Sequence, residues 1–188
     1  NPSLVGSEMC IRDSTKGFIP LDIKDAYALE RSKLHNWKIS PTIRKNRQIK
    51  YNNANINERV GAYLPIHFEV RGYDLEFGRL FNEEENLGRK RVAVIGSAVP
   101  RALGSNAPSI LNKEILVAGT SYKVVGILKE EGSTGWQNPD EEIYIPLLTG
   151  AQRLFGTPHV DSINIGISND TNVDEAVSYT HLTLPTTD

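Results

Sequence analysis

Two kinds of hydrophobic spacing run along the first third of the chain. Residues 21–34 (LDIKDAYALERSKL) carry apolar positions at helical spacing, and Asp22 is placed to cap the helix. After Pro41 the pattern changes to alternation, first in 42–53 and then in 56–64, with an asparagine-rich turn between them. This part of the chain therefore predicts one helix followed by a hairpin of two polar-rich strands.

Shorter elements follow, and glycine and proline separate them. Pro65 and Gly72 are placed to open and close a short helix. The apolar run in 91–97 (RVAVIGS) is typical of a central strand covered on both faces. It leads into a second short helix, which Ser97 can cap and Gly104 can end.

The last third predicts strands again. Residues 112–132 (NKEILVAGTSYKVVGILKEEG) read as a hairpin, and 142–146 (EIYIP) as a further strand. A helix ending at Gly156 and a closing strand in 160–168 complete the order. Because short helices are inserted among mostly antiparallel strands, the fold class is α+β with a mixed sheet, as one domain or two small lobes.

Composition narrows the class of protein. The chain has 188 residues, 39% hydrophobic and 23% charged, which is typical of a globular domain and not of a disordered one. A net charge of -2 argues against nucleic acid as an obligatory partner. The longest apolar run, Val92 to Pro100, falls well short of the roughly 20 residues that a membrane helix needs.

Residues that could carry chemistry are few and scattered. The single cysteine, Cys10, has no histidine in a catalytic pattern near it, and Gly96 alone cannot supply a glycine-rich nucleotide loop. The histidines stand too far apart for a metal-binding pair, at positions His35, His67, His159 and His181. We therefore expect no catalytic, cofactor-binding or metal-binding residues, and no enzymatic activity.

Two polar segments leave alternatives open. The acidic clusters 83–85 and 140–142 could bind calcium or serve as acid and base, but solvated turns or helix starts are the favoured interpretation. Trp136 lies in the polar loop 133–141 (STGWQNPDE), either as an anchor for a partner or as a plug for a local gap. Trp136 and Gln137 are the candidate partner-binding residues.

Several segments, in order and with consistent spacing, resemble one known family. They are FEVRGYDLEFGRLFNEEE, RVAVIGSAVPRALG, KEILVAGTSYKVVGIL, EEIYIPLLTGAQRLFG and VDSINIGI. Together they are similar to the MacB-type periplasmic core domain of ABC-transporter permeases, from about Pro20 to Val177. The stretch PSILNKEI departs from the family pattern, because Leu111 and Asn112 stand where a glycine is usual, and this puts the local turn in doubt.

The resemblance implies an extracytoplasmic domain of a permease in the bacterial inner membrane. Such a domain couples ATP-driven motion of the transporter to substrate export or to partner proteins, without chemistry or cofactors of its own. The implied partners are the membrane-spanning region and the ATPase of the same transporter, a periplasmic adaptor protein in some members, and a second copy in a homodimer. The alternative is a stand-alone extracytoplasmic module that binds a small molecule or a peptide.

The two ends have a different character. Ser3–Ser14 (SLVGSEMCIRDS) and Val177–Thr186 (VSYTHLTLPT) resemble translated sequencing-adapter DNA. We therefore expect 1–14 and 177–188 to be adapter-derived tails, with little order before about Phe18 and after about Ala176. The remaining segment, 15–176, would be an incomplete MacB-like core domain. It contains neither cysteine nor methionine, which fits an internal piece of an extracytoplasmic protein.

Overall fold

The structure is a computed structural model that describes residues 9–10, 21–31, 37–132 and 138–166. Its strands are β1 (Met9–Cys10), β2 (Lys38–Tyr51), β3 (Ala54–Tyr63), β4 (Leu75–Gly78), β5 (Val92–Ile95), β6 (Glu114–Val117), β7 (Thr120–Leu128), β8 (Ile143–Pro146) and β9 (Ser162–Gly166). Its α-helices are α1 (Ile23–Arg31), α2 (Ile66–Arg71), α3 (Glu83–Leu87), α4 (Val99–Ala102), α5 (Ala107–Ile110) and α6 (Leu147–Thr149). A 3₁₀ turn, Pro139–Glu141, precedes β8, and a π-helical turn, Gly150–Phe155, continues α6.

All nine described strands belong to one sheet with the order β1-β9-β2-β3-β8-β5-β7-β4. Strand β6 pairs with both β2 and β7, so β2, β3, β8, β5, β7 and β6 close a ring. The β3–β8 and β5–β7 pairs are parallel, and the other described pairs are antiparallel. This architecture confirms the predicted α+β class with a mostly antiparallel sheet, and the described strands form one sheet rather than two lobes.

The first predicted hairpin is confirmed, and its two strands are the longest in the sheet. Strands β2 and β3 pair from Thr42–Tyr63 to Tyr51–Ala54, and Asn52 turns the chain with a φ of 50°. Asparagine tolerates this left-handed conformation better than most residues do. Strand β2 is longer than predicted because Lys38–Thr42 also pairs with β9.

The second predicted hairpin is also confirmed. Ala118 and Gly119 both have positive φ angles, 47° and 81°, which is the geometry of a tight turn between right-twisted strands. Just before the hairpin, Asn112 has a φ of 63°, and its N–H donates to the Val124 carbonyl at 2.8 Å. Asparagine thus provides the turn that a glycine usually provides in the family pattern.

Two hydrophobic clusters pack against the two faces of the sheet. The larger one draws on alternate positions of the ring strands, among them Ile43, Val60, Ile95, Ile115, Val124 and Ile145. The smaller one is rich in aromatic residues and lies under α2, with Tyr63, Phe68, Phe81 and Tyr144. All four residues of β5 are buried, as expected for a central strand.

The helix boundaries agree with the glycine signals but not with every predicted cap. Gly72 and Gly156 follow their helices in the left-handed conformation, with φ angles of 68° and 62°. The prediction that Ser97 caps the next helix is wrong, since Ala98 occupies that position. The Ser97 hydroxyl instead donates to Asp140 Oδ1 at 2.9 Å, so a longer-range contact replaces the local one.

The short strand β1 departs from the low order expected before Phe18. Met9 and Cys10 pair antiparallel with Ile165 and Asn164. An outer strand such as β9 offers unpaired backbone groups, and even two extended residues can satisfy some of them. Residues 177–188, for which low order is also expected, lie outside the described residues.

Candidate functional site

The loop predicted to contact a partner is described at both ends. Trp136 and Gln137 themselves lie outside the described residues. The flanking residues, 131–132 and 138–142, are called the loop root below. The contacts of the loop root fix the two chain segments that flank 133–137.

A single carboxylate ties the two ends of the loop together. Asp140 is 8% exposed, and its oxygens accept hydrogen bonds from the backbone N–H of Glu131 at 3.0 Å and of Gly132 at 2.9 Å. The Ser97 hydroxyl donates a third hydrogen bond to the same carboxylate at 2.9 Å. Hydrogen bonds to an ionised acceptor are stronger than neutral ones. Asp140 therefore fastens the loop to the chain that leads from β5 into α4.

Gly96 lets the backbone of the loop root pass close to the end of β5. Its N–H donates to the Glu142 carbonyl at 2.9 Å. A Cβ on Gly96 would lie 2.3 Å from the Pro139 oxygen, a distance that real Cβ contacts do not show. The lone glycine of VAVIGS thus serves the packing of two backbone segments, in keeping with the strand-to-helix turn predicted at this place.

Beneath the loop root lies a buried polar cluster of Arg44, Tyr63 and Glu142. The Tyr63 hydroxyl donates to Glu142 Oε1, and Arg44 Nε donates to the same hydroxyl at 2.7 Å. Arg44 Nε also lies 3.5 Å from Glu142 Oε1. The three side chains come from β2, β3 and the residue before β8, so the cluster links three neighbouring strands.

Burial dominates the electrostatics of this cluster. It raises the pKa of Glu142, although the charge of Arg44 acts in the opposite direction. Burial also raises the pKa of the Tyr63 hydroxyl, and the negative charge of the nearby Glu142 carboxylate raises it further. Burial by itself would lower the pKa of Arg44. Tyr63 and Glu142 together outweigh this effect and raise the pKa above its usual value. The arrangement is thus a bridged ion pair that the protein shields from water.

His67 extends the cluster on the side of α2. Its Nδ1 lies 2.8 Å from the Ser40 hydroxyl oxygen, and its ring stacks on Tyr63 at a centroid distance of 3.9 Å. Burial, and then the positive charges of Arg44 and Arg71, lower the pKa of His67 well below its usual value. The imidazole is therefore neutral at physiological pH, which suits a packed residue.

The other sequence-predicted positions do not converge on this site. His159 Nδ1 lies 2.5 Å from Asp22 Oδ1 on the α1 side of the molecule, whereas His35 and His181 fall outside the described residues. Within the described ranges, no three His, Cys, Asp or Glu side chains are grouped so that they could hold a metal ion. In the same ranges, no helix combines the length and the apolar character needed to cross a membrane.

The two acidic clusters have different roles. Residues 83–85 form the first turn of α3, where Asn82 Oδ1 accepts from the Glu85 N–H at 2.9 Å, and this confirms a helix start. At 140–142 a helix start is confirmed as well, because Asp140 and Glu141 lie in the first turn of the 3₁₀ turn Pro139–Glu141. The cluster is not solvated throughout, since Asp140 and Glu142 are 8% and 4% exposed. Hydrogen-bonded partners make their burial possible.

A polar cleft of about 570 Å³ lies beside the loop root. Its charged and hydroxyl-bearing lining consists of Glu76, Ser97, Arg101, Lys129, Glu130 and Asp140. The rim of a protein interface is polar and accessible to solvent, whereas most small-molecule sites are predominantly apolar. The cleft beside the loop root therefore resembles the rim of a contact surface more than a small-molecule pocket.

Solved extracytoplasmic domains have a similar fold. The periplasmic region of MacB from Actinobacillus actinomycetemcomitans matches with a TM-score of 0.71 at 21% identity, over 85% of this chain and 71% of that one. The extracellular domain of the noncanonic ABC-type transporter YknZ from Gram-positive bacteria matches with a TM-score of 0.70 at 20% identity, over 86% and 78%. The fold is that of extracytoplasmic domains of ABC-type transporters.

The sequence narrows this class to one family. The chain belongs to the MacB-like periplasmic core domain family, which matches residues 6–180. This confirms the resemblance noted in the sequence and the extracytoplasmic location that it implies. The match reaches beyond 15–176 at both ends, and the adapter origin of the tails stays a prediction.

Relatives of known name are longer proteins. The macrolide export ATP-binding/permease protein MacB of Bdellovibrio bacteriovorus is 37% identical over 138 residues, which are 73% of this chain and 21% of that protein. The protein of the same name from Agrobacterium fabrum is 29% identical over 143 residues, 74% of this chain and 22% of that protein. The chain thus spans about a fifth of the length of the curated relatives it matches.

Proposed function

We propose that this domain couples ATP-driven motion of a parent ABC transporter to substrate export or to partner proteins outside the cytoplasm, and performs no chemistry of its own. The observation that carries this proposal is the family membership over residues 6–180. Relatives that contain a matching segment are named as ATP-binding/permease proteins for macrolide export. Their names suggest the setting in which this domain works.

The proposed partners follow from that setting. They are the membrane-spanning region and the ATPase of the same transporter, and in addition a periplasmic adaptor protein and a second copy of the domain. Trp136 and Gln137 are the proposed contact residues for such a partner. The loop root adjoins a polar cleft, and a polar, solvent-accessible rim is a feature of protein interfaces, which supports a protein partner.

The loop root is suited to transmitting movement. Asp140 fixes both ends of the loop, and Glu142 joins the root to β2 and β3 through the buried polar cluster. A displacement of the sheet would therefore carry the loop root with it, because hydrogen bonds to carboxylates connect the two. The same connection would pass a pull on the loop back to the sheet.

A second candidate function is binding of a small apolar molecule by the isolated domain. One described cleft of about 350 Å³ favours it, between α1 and the π-helical turn, with Ile23, Leu148, Ala151 and Pro158 in its lining. A ligand for this cleft would raise the melting temperature of the isolated domain. A domain that only couples movement does not need to bind a small molecule.

The test uses the parent transporter reconstituted in vesicles. We expect Trp136→Ala to lower export about tenfold, as for an interface residue that contributes strongly to binding. The ATPase rate without substrate should stay within about twofold of the wild-type rate. Leu116→Ala is the matched control, since Leu116 is 42% exposed on β6 and belongs to none of the loop contacts. Full export by the Trp136 variant would contradict the assigned contact. Turnover of substrate by the isolated domain would contradict the coupling function itself.

A further inference from the structure

Two buried side chains hold the short helix α2 against the sheet. His67 and Phe68 are each 1% exposed, whereas the other four residues of this helix are half-buried or exposed. A helix of fewer than about 12 residues is marginal in water without tertiary packing. The helical state of α2 therefore depends on the packing of these two side chains.

The backbone of α2 is bonded only locally. The Gly72 N–H donates to the Glu69 carbonyl at 3.1 Å, and the Tyr73 N–H donates to the Phe68 carbonyl at 2.9 Å. Among the described backbone hydrogen bonds, none joins α2 to a strand of the sheet. The helix can therefore leave the sheet without breaking a bond between strands.

The ring of His67 is enclosed by groups from three strands and from the chain after α2. The Ser40 hydroxyl oxygen, on β2, lies 2.8 Å from Nδ1, and the Tyr63 ring, on β3, stacks on the imidazole with 3.9 Å between centroids. The rings of Tyr73 and Tyr144 lie at centroid distances of 6.1 and 6.4 Å. Where the structure describes the chain, no ion pair within 4.0 Å joins His67 to a carboxylate.

The closest charges that act on His67 are positive. The Cζ atom of Arg44, on β2, lies 5.6 Å from the centroid of the Tyr63 ring, so the ring that stacks on His67 already contacts one cation. Arg71, at the end of α2, is a second positive charge that acts on the imidazole. Glu142, just before β8, is engaged by the Tyr63 hydroxyl and lies 3.5 Å from Arg44 Nε.

The other titratable groups around α2 offer no free negative charge. Burial raises the pKa of the hydroxyls of Tyr63, Tyr73 and Tyr144, so these groups are neutral at physiological pH. On the solvent side of the helix, Lys38 and Glu69 form an exposed ion pair with each other. A proton on His67 would therefore bring a buried positive charge beside other cations, which is strongly unfavourable.

We propose that protonation of His67 releases α2 from the sheet locally, while the strands stay folded. The imidazolium would be the second cation on the Tyr63 ring, whereas water solvates it once the helix has left. Release would also uncover the aromatic side chains of Tyr63 and Tyr144. Histidine is the side chain whose charge changes most readily near neutral pH, and the extracytoplasmic location of this domain exposes it to the pH outside the cytoplasm.

The release is favoured by acid and not by base. Burial, followed by the charges of Arg44 and Arg71, lowers the pKa of His67 in the packed state. In the released state the ring is in water, so its pKa returns towards the ordinary value of 6.5. Below that pH the released state binds more protons, and the packed state loses stability as the pH falls towards the lowered pKa. Each pH unit in this window should favour release by up to about tenfold.

Amide hydrogen exchange of the full chain, resolved by NMR, tests the proposal. The amides of Gly72 and Tyr73 report on α2, because their hydrogen bonds close its last turn. After correction for the intrinsic pH dependence of exchange, their protection should be constant from about pH 8 to about pH 6.5 and fall up to about 30-fold by about pH 5. Urea well below the unfolding transition should leave their exchange unchanged, but it should speed the exchange of β2 and β3 amides.

Two histidine variants separate His67 from other groups. His67→Gln keeps a side chain that can form hydrogen bonds but cannot be protonated in this range, so the protection of Gly72 and Tyr73 should not fall. His159→Gln removes the exposed histidine beside Asp22, on a different part of the molecule, and should keep the wild-type fall. The urea dependence of the wild type decides whether release is local even where His67→Gln does not fold.

Three outcomes would overturn the proposal. Constant protection of Gly72 and Tyr73 from about pH 8 to about pH 5 would show that α2 stays packed when the medium is acid. A fall shared with the β2 and β3 amides, with the same urea dependence, would show unfolding of the whole domain rather than release of the helix. The same fall in His67→Gln would assign the acid response to another group. None of these measurements involves transport, so their failure and that of the proposed function are distinguishable.

Discussion

The hydroxyl of Tyr63 joins a half-buried cation, Arg44, and a buried anion, Glu142, in one cluster. It donates to Glu142 and accepts from Arg44, and the ring of Tyr63 also stacks on His67. A buried charge without a partner is strongly destabilising. The Tyr63 hydroxyl therefore contributes more to the free energy of unfolding than a hydroxyl in an ordinary hydrogen bond does. Its space is provided by Gly61, where a Cβ would lie 2.2 Å from the Tyr63 ring.

Replacement of Tyr63 by phenylalanine tests this role. Tyr63→Phe keeps the packing of the ring but leaves Glu142 and Arg44 without their bridge. We expect the free energy of unfolding to fall by about 3 kcal/mol, as measured by urea denaturation. Tyr144→Phe is the control, because the Tyr144 hydroxyl bonds neutral groups, the Pro139 carbonyl at 3.2 Å and the hydroxyl of Tyr73, and its loss should cost about 1 kcal/mol. Equal effects of the two changes would contradict the charged bridge.

The buried His67 should make the fold sensitive to acid. Its pKa is lowered in the folded state, so below the ordinary value of 6.5 the unfolded chain binds a proton that the folded one does not. Stability is therefore present above that pH and is lost as the pH falls towards the lowered pKa. Relative to His67→Gln, the wild type should lose up to about 1.4 kcal/mol per pH unit in this window.

The measurement is urea unfolding from about pH 8 to about pH 5. Glu142 acts with the opposite sign, since its raised pKa lets the folded state bind the proton more readily, but it is present in both proteins. His159→Gln is the matched histidine substitution, because the exposed His159 lies beside Asp22, on a different part of the molecule from the cluster around Tyr63. The same pH dependence in the wild type and in His67→Gln would show that His67 is not the acid-sensitive group.

At the scale of elements, the loop root depends on close approach at the end of β5. A methyl group on Gly96 would meet the backbone oxygens of Pro139 and Asp140 at 2.3 and 2.4 Å. Neither backbone atom can move without disturbing the root, so Gly96→Ala should lower the free energy of unfolding by at least about 3 kcal/mol. It should also speed proteolytic cleavage within the loop.

The control for this change is Gly104→Ala. Gly104 has a φ of 67°, and a methyl group there would have no atom within 4 Å, so the substitution meets backbone strain alone. That strain should cost about 1 kcal/mol and leave cleavage of the loop unchanged. Comparable losses of stability in the two variants would contradict the packing assigned to Gly96.

The elements that the sequence predicts correctly are those with strong local signals. The two hairpins follow from alternation and turn residues, and Gly72 and Gly156 end their helices in the left-handed conformation that glycine permits. Local spacing predicts a cap at Ser97, but its partner Asp140 lies 43 positions further along the chain. Contacts over such separations leave no local pattern, so spacing alone does not reveal them.

The buried polar cluster has a partial signal in the sequence. Glu142 and Tyr144 are two positions apart and share a face of the chain leading into β8, and Arg44 and Tyr63 lie near one another in the predicted hairpin. What brings the two pairs together is the parallel pairing of β3 with β8, which begins at Val60–Ile143. That pairing depends on the whole topology, and the hairpin pattern does not contain it.

At the scale of the whole molecule, the ring of strands unites distant parts of the chain. The register places β8 between β3 and β5, so the loop root is joined directly to the first hairpin through β3 and to the second hairpin through β5. The loop root and both hairpins therefore belong to one sheet. A domain that couples movement needs such a connection between distant parts of its chain.

The proposed adapter-derived tails give a last prediction for the whole chain. If 1–14 and 177–188 are foreign to the domain, then removing them should change the free energy of unfolding by less than about 0.5 kcal/mol, as for surface changes that remove no specific contact. Strand β1 would be lost, but it pairs only with Ile165 and Asn164 on β9. Urea unfolding of 15–176 beside the full chain provides the measurement. A loss above about 2 kcal/mol, reversed when 1–14 alone is restored, would show that β1 is an integral strand of this domain.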